Sequence, residues 1–343
     1  MELMSLRKQI DKIDKTIVEA LNKRTALSLK IGKIKSTYQK VVSGNRGPLP
    51  DESIKAVYRE IMSGALGLEG PVRVAYLGPA ATFTHLASIK KFGNSVKHIP
   101  VNSITEVFSE VEKGRADYGV VPIENTTEGA VSHTLDMFIE SDLKICSEVS
   151  LEISHNLLGN GKGRIRKVYS KPEVFGQCRV WLEANLPNIE LIEVSSTARA
   201  ALIAKKEKGA ACIASSLAAE CYGLKVLAKS IEDYSHNMTR FLVIGRTEPQ
   251  PTKRDKTSIM FSIRDKIGAL HDMLVPFRRN GINLTKIESR PSKKKAWDYY
   301  FFVDMIGHHK DPKIKKALQG LERQARFLKI LGSYPIGKNE AGA

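Results

Sequence analysis

The chain has 343 residues, 42% of them apolar and 27% charged, which suits a soluble globular protein of two or three domains and excludes disordered, collagenous and small disulfide-stapled classes. Its 54 Lys and Arg against 37 Asp and Glu give a formal charge of +17, so the candidate partners are nucleic acid, an anionic membrane surface or a small anionic substrate. The excess is uneven: residues 1–70 hold 13 basic and 8 acidic side chains, residues 71–251 hold 21 and 20, and residues 252–343 hold 20 and 9.

From the N-terminus, Leu3, Leu6, Ile10, Ile13, Ile17 and Leu21 recur every three or four residues, and neither Gly nor Pro intervenes before Gly32. That spacing predicts one long amphipathic helix over residues 3–35. A turn-rich stretch, SGNRGPLPDES, precedes a second helical pattern through Ile54, Val57, Tyr58, Ile61 and Met62 that should end near Gly64 or Gly67. Beyond Pro71 the texture changes to short β-branched runs, VRVAYLG, ADYGVVPIEN, KICSEVSLEI, KVYS, IELIEVS, ACIAS and RFLVIG, separated by helix-like segments. Strands alternating with helices predict an α/β domain with a mostly parallel sheet.

After the linker RTEPQPTKRDK come a strand TSIMFSI, a helix from Ala269 to Asn280, strands INLTKIESRP and DYYFFVDMIG around a basic turn SKKK, and a helix through Leu318 and Leu321. This β-α-β-β-α order predicts a ferredoxin-like sandwich. The divisions fall at residues 1–70, 71–248 and 256–343. No run approaches the roughly 18 apolar residues of a membrane span, and MELMSLRKQIDKID is charged where a signal peptide would be apolar, so a cytoplasmic location without membrane partners is expected. Cys146, Cys178, Cys212 and Cys221 form no CxxC pair and are expected to be buried thiols.

Four polar clusters stand at strand ends, the edge where open α/β sheets bind ligands. Gly78 and Pro79 precede Thr82, Phe83, Thr84 and His85 at a predicted helix start, where free backbone N–H groups suit a carboxylate, although an ordinary N-cap reads the same way. Glu124, Asn125, Thr126 and Thr127 follow a second strand. Ser195, Ser196 and Thr197 precede a helix, and Asn237, Thr239 and Arg240 open the last strand.

These segments, YLGPAATFT (76–84), PIENTTEG (122–129), SSTAR (195–199) and TRF (239–241), resemble the YLGPxGTFS, PIENSTEG, ST and TRF motifs of the prephenate dehydratase family in order and spacing. The resemblance implies two lobes like those of a type II periplasmic binding protein, with the substrate in the cleft between them. The reaction expels carbon dioxide and the C4 hydroxide from a dicarboxylate as its ring becomes aromatic, so neither cofactor nor metal is expected. It implies Thr239 as the catalytic hydroxyl, with Thr82, Phe83, Thr84, Glu124, Asn125, Thr126, Ser196, Thr197, Arg240 and Phe241 around the substrate. Arg240 alternatively reads as a buried ion pair. Ala81 stands where the family usually has Gly, which a negative φ would tolerate and a left-handed backbone would resist at roughly 1 kcal/mol.

The basic first helix resembles that of the all-helical chorismate mutase, whose arginines hold two carboxylates while a lysine meets the ether oxygen. The resemblance implies Arg7, Arg24, Lys35 and Glu69 as chorismate-binding residues, with Arg7 reaching into a partner subunit. Arg24 and Lys35 return to within ~20° of one helix face. The Asp-x-x-Arg-Glu cluster of the family's second helix is missing from KSTYQKVVSGNRGPLP (35–50), so a retained dimerisation helix with weak or no mutase activity is the alternative. Arg46 could substitute for the missing arginine.

The C-terminal unit resembles an ACT domain through GAL (268–270) and ESRP (288–291). It implies phenylalanine as effector, held by Gly268, Ala269, Leu270, Glu288, Ser289, Arg290 and Pro291 between two subunits of a homodimer or homotetramer. His271 replaces the motif's usual valine. Lys293–Lys295 reads as a solvated turn. Arogenate as substrate, a non-catalytic metabolite sensor, and nucleic-acid binding driven by +17 are the competing readings, the last without a supporting motif.

Overall fold

The computed structural model describes residues 2–31, 41–70, 72–161, 163–234, 236–263, 267–291 and 299–337. Two compact units form: residues 1–73 with 89–97, and residues 74–88 with 98–343. In the first, α1 (Glu2–Ile31) and α2 (Asp51–Glu69) are the long helices. The periodic stripe of α1 faces solvent within a single chain: Leu6, Ile10, Ile13 and Ile17 are 51%, 56%, 59% and 48% exposed. Helix α2 runs through Gly64 and Gly67, past its expected end. A mid-helix glycine costs only about 1 kcal/mol, and a Cβ at Gly67 would lie 3.4 Å from Ser95 O, so the small residue admits a neighbouring loop.

Beyond α2 the chain forms β1 (Arg73–Leu77), α3 (Phe83–Phe92), β2 (Lys97–Val101), α4 (Ile104–Glu112), β3 (Tyr118–Asn125), β4 (Gly129–Ala130), α5 (Ser132–Glu140) and β5 (Lys144–Glu152). It continues through β6 (Asn156–Gly159), β7 (Lys167–Ser170), α6 (Pro172–Gln177), α7 (Arg179–Asn185), β8 (Glu190–Glu193), α8 (Thr197–Lys206), β9 (Ala210–Ala214), α9 (Ser216–Tyr222), β10 (Lys225–Ala228) and β11 (Met238–Gly245). One lobe carries the sheet β2-β1-β3-β11-β5 with β4 beside β3, and the other carries β10-β6-β9-β7-β8. The expectation of mostly parallel sheets is corrected: β11 runs antiparallel to both β3 and β5, and β6 to both β9 and β10. The cause is the excursion through the second lobe, from which β11 returns into the middle of the first sheet against its neighbours. Pairing β11 with β3 sets Thr239 opposite Asn125 and Arg240 opposite Glu124, with a bulge before Phe241.

The last part comprises β12 (Asp255–Ser262), α10 (Ala269–Arg279), β13 (Leu284–Pro291), β14 (Tyr299–Ile306), α11 (Pro312–Glu322) and β15 (Phe327–Pro335), in sheet order β13-β14-β12-β15. Strand β15 is absent from the sequence expectation because Lys329 and Gly332 break the alternation of FLKILGSYP. One sheet face packs Ile259, Phe261, Val303 and Met305 against Met273, Phe277, Leu318 and Leu321 of the helices. On the other face Met260, Phe302, Leu331 and Tyr334 join a single core with Ile123, Leu135, Ile145 and Leu242 of the first lobe. At Gly332 the approach is so close that a Cβ would meet Ile145 O. The expectation for the cysteines is corrected in part: Cys178 and Cys212 are buried, their thiols pushed up to about 12 by burial, whereas Cys221 is exposed and Cys146 half-buried. Lys293–Lys295 lies outside the described residues.

Candidate active site

Thr239 and Asn125 meet where the chain crosses between the lobes, and the hydrogen bonds around them have one consistent direction. Asn125 Oδ1 accepts from the backbone N–H groups of Thr127 (2.9 Å) and Glu128 (3.1 Å) and from the Thr127 hydroxyl (2.5 Å). Backbone N–H groups can only donate, so they fix which end of the amide is oxygen. Its Nδ2 therefore donates, to Thr239 Oγ1 and to Asn237 Oδ1, both at 2.7 Å. Thr239 is held as an acceptor, and its own O–H hydrogen has no acceptor among the described residues. Asn237 Nδ2 in turn donates to Gln177 Oε1 at 3.0 Å, and Gln177 Nε2 donates to Glu128 Oε1 at 3.1 Å.

Gln177 Oε1 also pairs with His155 Nε2 at 2.7 Å. An amide oxygen only accepts, so that nitrogen carries the proton. Burial lowers the pKa of His155 and keeps the ring neutral. Its Nδ1 is enclosed with no hydrogen-bond partner among the described residues. Phe83 packs edge-on against this ring, with centroids 5.8 Å apart. Residues from both lobes thus converge on one hydroxyl. Gln177, His155 and Glu128 are absent from the sequence-derived set; Gln177 ends a short helix and His155 follows a strand, with no spacing to mark either, whereas Glu128 lies within PIENTTEG without a role assigned to it.

Of the expected prephenate set, Asn125, Thr126 and Thr239 are brought together, with Phe83 joined through His155. Thr126 Oγ1 binds His236 O and the Met238 N–H. Thr82 donates to Leu77 O at 3.0 Å and accepts from the His85 N–H at 3.3 Å, while Ser196 accepts from the Arg199 N–H at 3.1 Å. Both hydroxyls fix helix starts, which leaves the helix N-termini themselves to address a carboxylate. Thr84, Thr197 and Phe241 are buried.

Arg240 takes the alternative reading. Only 7% exposed, it binds Glu124 Oε1 through Nη1 (2.9 Å) and Asp304 through Nη2 (2.5 Å), and its Nε lies 3.0 Å from Glu148 Oε2 as an ion pair without hydrogen-bond geometry. Alternation along β11 turns it away from Thr239. Burial alone would raise the carboxyls of Glu124 and Asp304, but Arg240, aided by Lys286 and by Ser258 respectively, holds both below the usual range. Ala81 has φ +68°, the left-handed conformation that resists a side chain. The GPAAT loop is pinned to the second lobe, where Tyr222 and Ser215 donate to Ala80 O and Ala81 O.

In the helical unit Arg7 is exposed, whereas Arg24 is half-buried and its Nη1 is enclosed without a hydrogen-bond partner among the described residues. Glu69 closes α2, and Lys35 lies outside the described residues. At the C-terminal end, Gly268 caps α10 at φ +76° with Ala269 buried behind it and Leu270 exposed. His271 is exposed, its Nδ1 3.5 Å from Asp272. Glu288, Ser289, Arg290 and Pro291 lie on β13, an edge strand with one side unpaired in the sheet. Among the described residues no cluster of His, Cys, Asp or Glu is placed to hold a metal ion, and no helix is long and apolar enough to cross a membrane.

A two-lobed α/β fold with a polarised hydroxyl at its crossing point and a ferredoxin-like regulatory sheet defines the prephenate dehydratase class, and three family models agree: chorismate mutase type II over residues 6–70, prephenate dehydratase over 74–249 and ACT domain over 257–323. The bifunctional chorismate mutase/prephenate dehydratase of Aquifex aeolicus is 49% identical over 97% of this chain and 98% of its own. A prephenate dehydratase of Methanocaldococcus jannaschii is 38% identical over 77% of this chain and 98% of its own. The structure of an Arthrobacter aurescens prephenate dehydratase in complex with L-Phe superposes with a TM-score of 0.72 at 33% identity, over 77% of this chain and 90% of that one. The chain belongs to the bifunctional chorismate mutase/prephenate dehydratase family.

Proposed function

We infer that this chain converts prephenate to phenylpyruvate with Thr239 as the group that meets the departing hydroxyl. The observation that carries the reading is the Asn125 Nδ2 to Thr239 Oγ1 bond of 2.7 Å. In the reaction the bond to the ring carboxylate breaks to release carbon dioxide, its electron pair aromatises the ring, and the C4–O bond breaks to release hydroxide, which takes a proton from solvent on leaving the site. A threonine is a very weak acid, so Thr239 acts as a fixed hydrogen-bond donor to the leaving oxygen, and placement in a dry site supplies most of its effect. The N-termini of α3 and α8 bind the carboxylates, while Asn125 and Thr126, whose donors are engaged within the protein, hold the site in shape. Replacing Thr239 by Ala should lower kcat about 100- to 1000-fold, the usual loss of one such donor, with Thr239→Ser recovering part of it. A Thr239→Ala enzyme with native turnover would remove the role.

The three divisions proposed are a mutase-like unit to residue 70, a dehydratase unit to 248 and an ACT unit from 256. The N-terminal unit retains Arg7 and Arg24 but lacks the Asp-x-x-Arg-Glu cluster. Alignment with the Aquifex relative spans 354 positions against 343 residues here, so that relative has at least 11 positions without a counterpart in this chain. We assign this unit a dimerising role, supported by the exposed stripe Leu6, Ile10, Ile13 and Ile17. Phenylalanine binds at the GAL and ESRP segments between two subunits, and the protein works in the cytoplasm.

A further inference from the structure

The expected effector strand β13 reaches the dehydratase through charge. Its pairing with β14 skips at Thr285, a bulge that reverses the phase so that Lys286, Glu288 and Arg290 share the face of Asp304 and Phe302. From that face Lys286 Nζ binds Glu124 Oε2, and Arg290 Nε lies 3.5 Å from Asp136 Oδ1. A cavity of about 800 Å³ opens beside the first pair, lined by Asn125, Thr126, Ser150, Thr285 and Glu288 among others. The strand is therefore tethered across a gap at this point and not packed against it.

Glu124 is clamped at both oxygens, Oε1 by Arg240 and Oε2 by Lys286. It immediately precedes Asn125, whose amide orients Thr239, and Arg240 immediately follows Thr239. These four residues form two directly opposed pairs across β3 and β11. Any shift of Lys286 pulls on a carboxylate one residue from the amide that aims the catalytic hydroxyl.

We propose that Lys286 is a positioning residue of the dehydratase reaction, acting through Glu124 on the Asn125–Thr239 pair, and that movement of β13 on effector binding reaches the reaction through it. The regulatory half rests on the reading of β13 as part of a phenylalanine site. Lys286 has no contact with substrate in this scheme, so its removal should act on kcat and leave KM nearly alone.

The test uses the full chain with Lys286→Met and Lys286→Arg, measuring kcat and KM for prephenate with and without L-phenylalanine, and L-phenylalanine binding by calorimetry. Lys286→Met should lose about 10- to 100-fold in kcat with KM within about threefold, the signature of a displaced catalytic group. It should still bind L-phenylalanine but respond to it weakly, and Lys286→Arg should restore most of both properties. Native kcat with native inhibition in Lys286→Met overturns the proposal, as does a change confined to KM. Wild-type enzyme that binds no L-phenylalanine overturns the regulatory half with the site reading, while the kcat result still decides the positioning half. Should Lys286→Met fail to fold, hydrogen exchange on the wild type decides: L-phenylalanine should alter both residues 284–291 and 122–129, and a change confined to 284–291 refutes the link.

Discussion

Replacing Glu148 by Gln puts the buried charge network to a quantitative test. Arg240, Lys256 and Lys286 face Glu124, Glu148 and Asp304, three positive groups against three negative. Glu148 and Lys256 are fully enclosed and 3.1 Å apart, and Glu148 also lies 3.0 Å from Arg240 Nε. Gln preserves shape and can still accept the Gly337 N–H, bonded at 2.7 Å to Glu148 Oε1. What it removes is one negative charge, leaving an uncompensated positive charge out of water. Breaking such a pair costs about 3–5 kcal/mol, which for a domain of this size lowers Tm by about 10 °C. Urea unfolding and calorimetry measure both. Removing the partner as well, in Glu148→Gln with Lys256→Met, restores neutrality and should recover most of the loss, giving a coupling of about 2–3 kcal/mol in a double-mutant cycle. A loss below about 1 kcal/mol in the single variant would refute a network balanced by charge.

Ala81→Gly sets two terms against each other. Relief of the left-handed backbone returns about 1 kcal/mol, while loss of a fully buried methyl and the extra freedom of the unfolded chain cost about as much. Stability should stay within about 1 kcal/mol with turnover retained, and a loss above about 2 kcal/mol would contradict the strain seen at φ +68°. For His85, burial first and then the nearby His98 lower the pKa from 6.5 to about 4. The unfolded chain therefore binds the proton more readily, so stability is complete above about pH 6.5 and falls as pH drops towards 4. Partial solvent exposure reduces the ceiling of about 3 kcal/mol to about 1–2. Urea midpoints of wild type and His85→Gln across this window should diverge at high pH and converge at low pH; parallel curves would exclude His85 as the source. Supplied with chorismate alone, the protein should form prephenate only at the background rate, and catalysed conversion would show that the missing cluster is dispensable.

The motif residues were legible because they are contiguous: PIEN and TRF each place neighbours on one strand, and the strand pairing then brings Asn125 to Thr239. The partners His155 and Gln177 were not, since they are scattered and owe their role to the crossing of two lobes. The C-terminal charge excess, +11 by count, reads in the sequence as solvation. In the fold Lys256 is enclosed, Lys286 and Arg290 point at the dehydratase, and Lys329 donates to Phe138 O and Ser141 O. Part of that excess is therefore joinery between domains, invisible without the face each strand presents. Alternation of strands and helices predicts parallel pairing because it does not record that β11 returns from a second lobe, antiparallel to both neighbours.

One assay decides whether the polarised hydroxyl belongs to a dehydratase. Purified protein given prephenate at neutral pH should release carbon dioxide and phenylpyruvate in equal amounts, read by absorbance, and L-phenylalanine should slow the reaction. Absence of phenylpyruvate from a folded protein that still binds prephenate would leave only a sensor of that dicarboxylate and contradict the catalytic reading of Thr239.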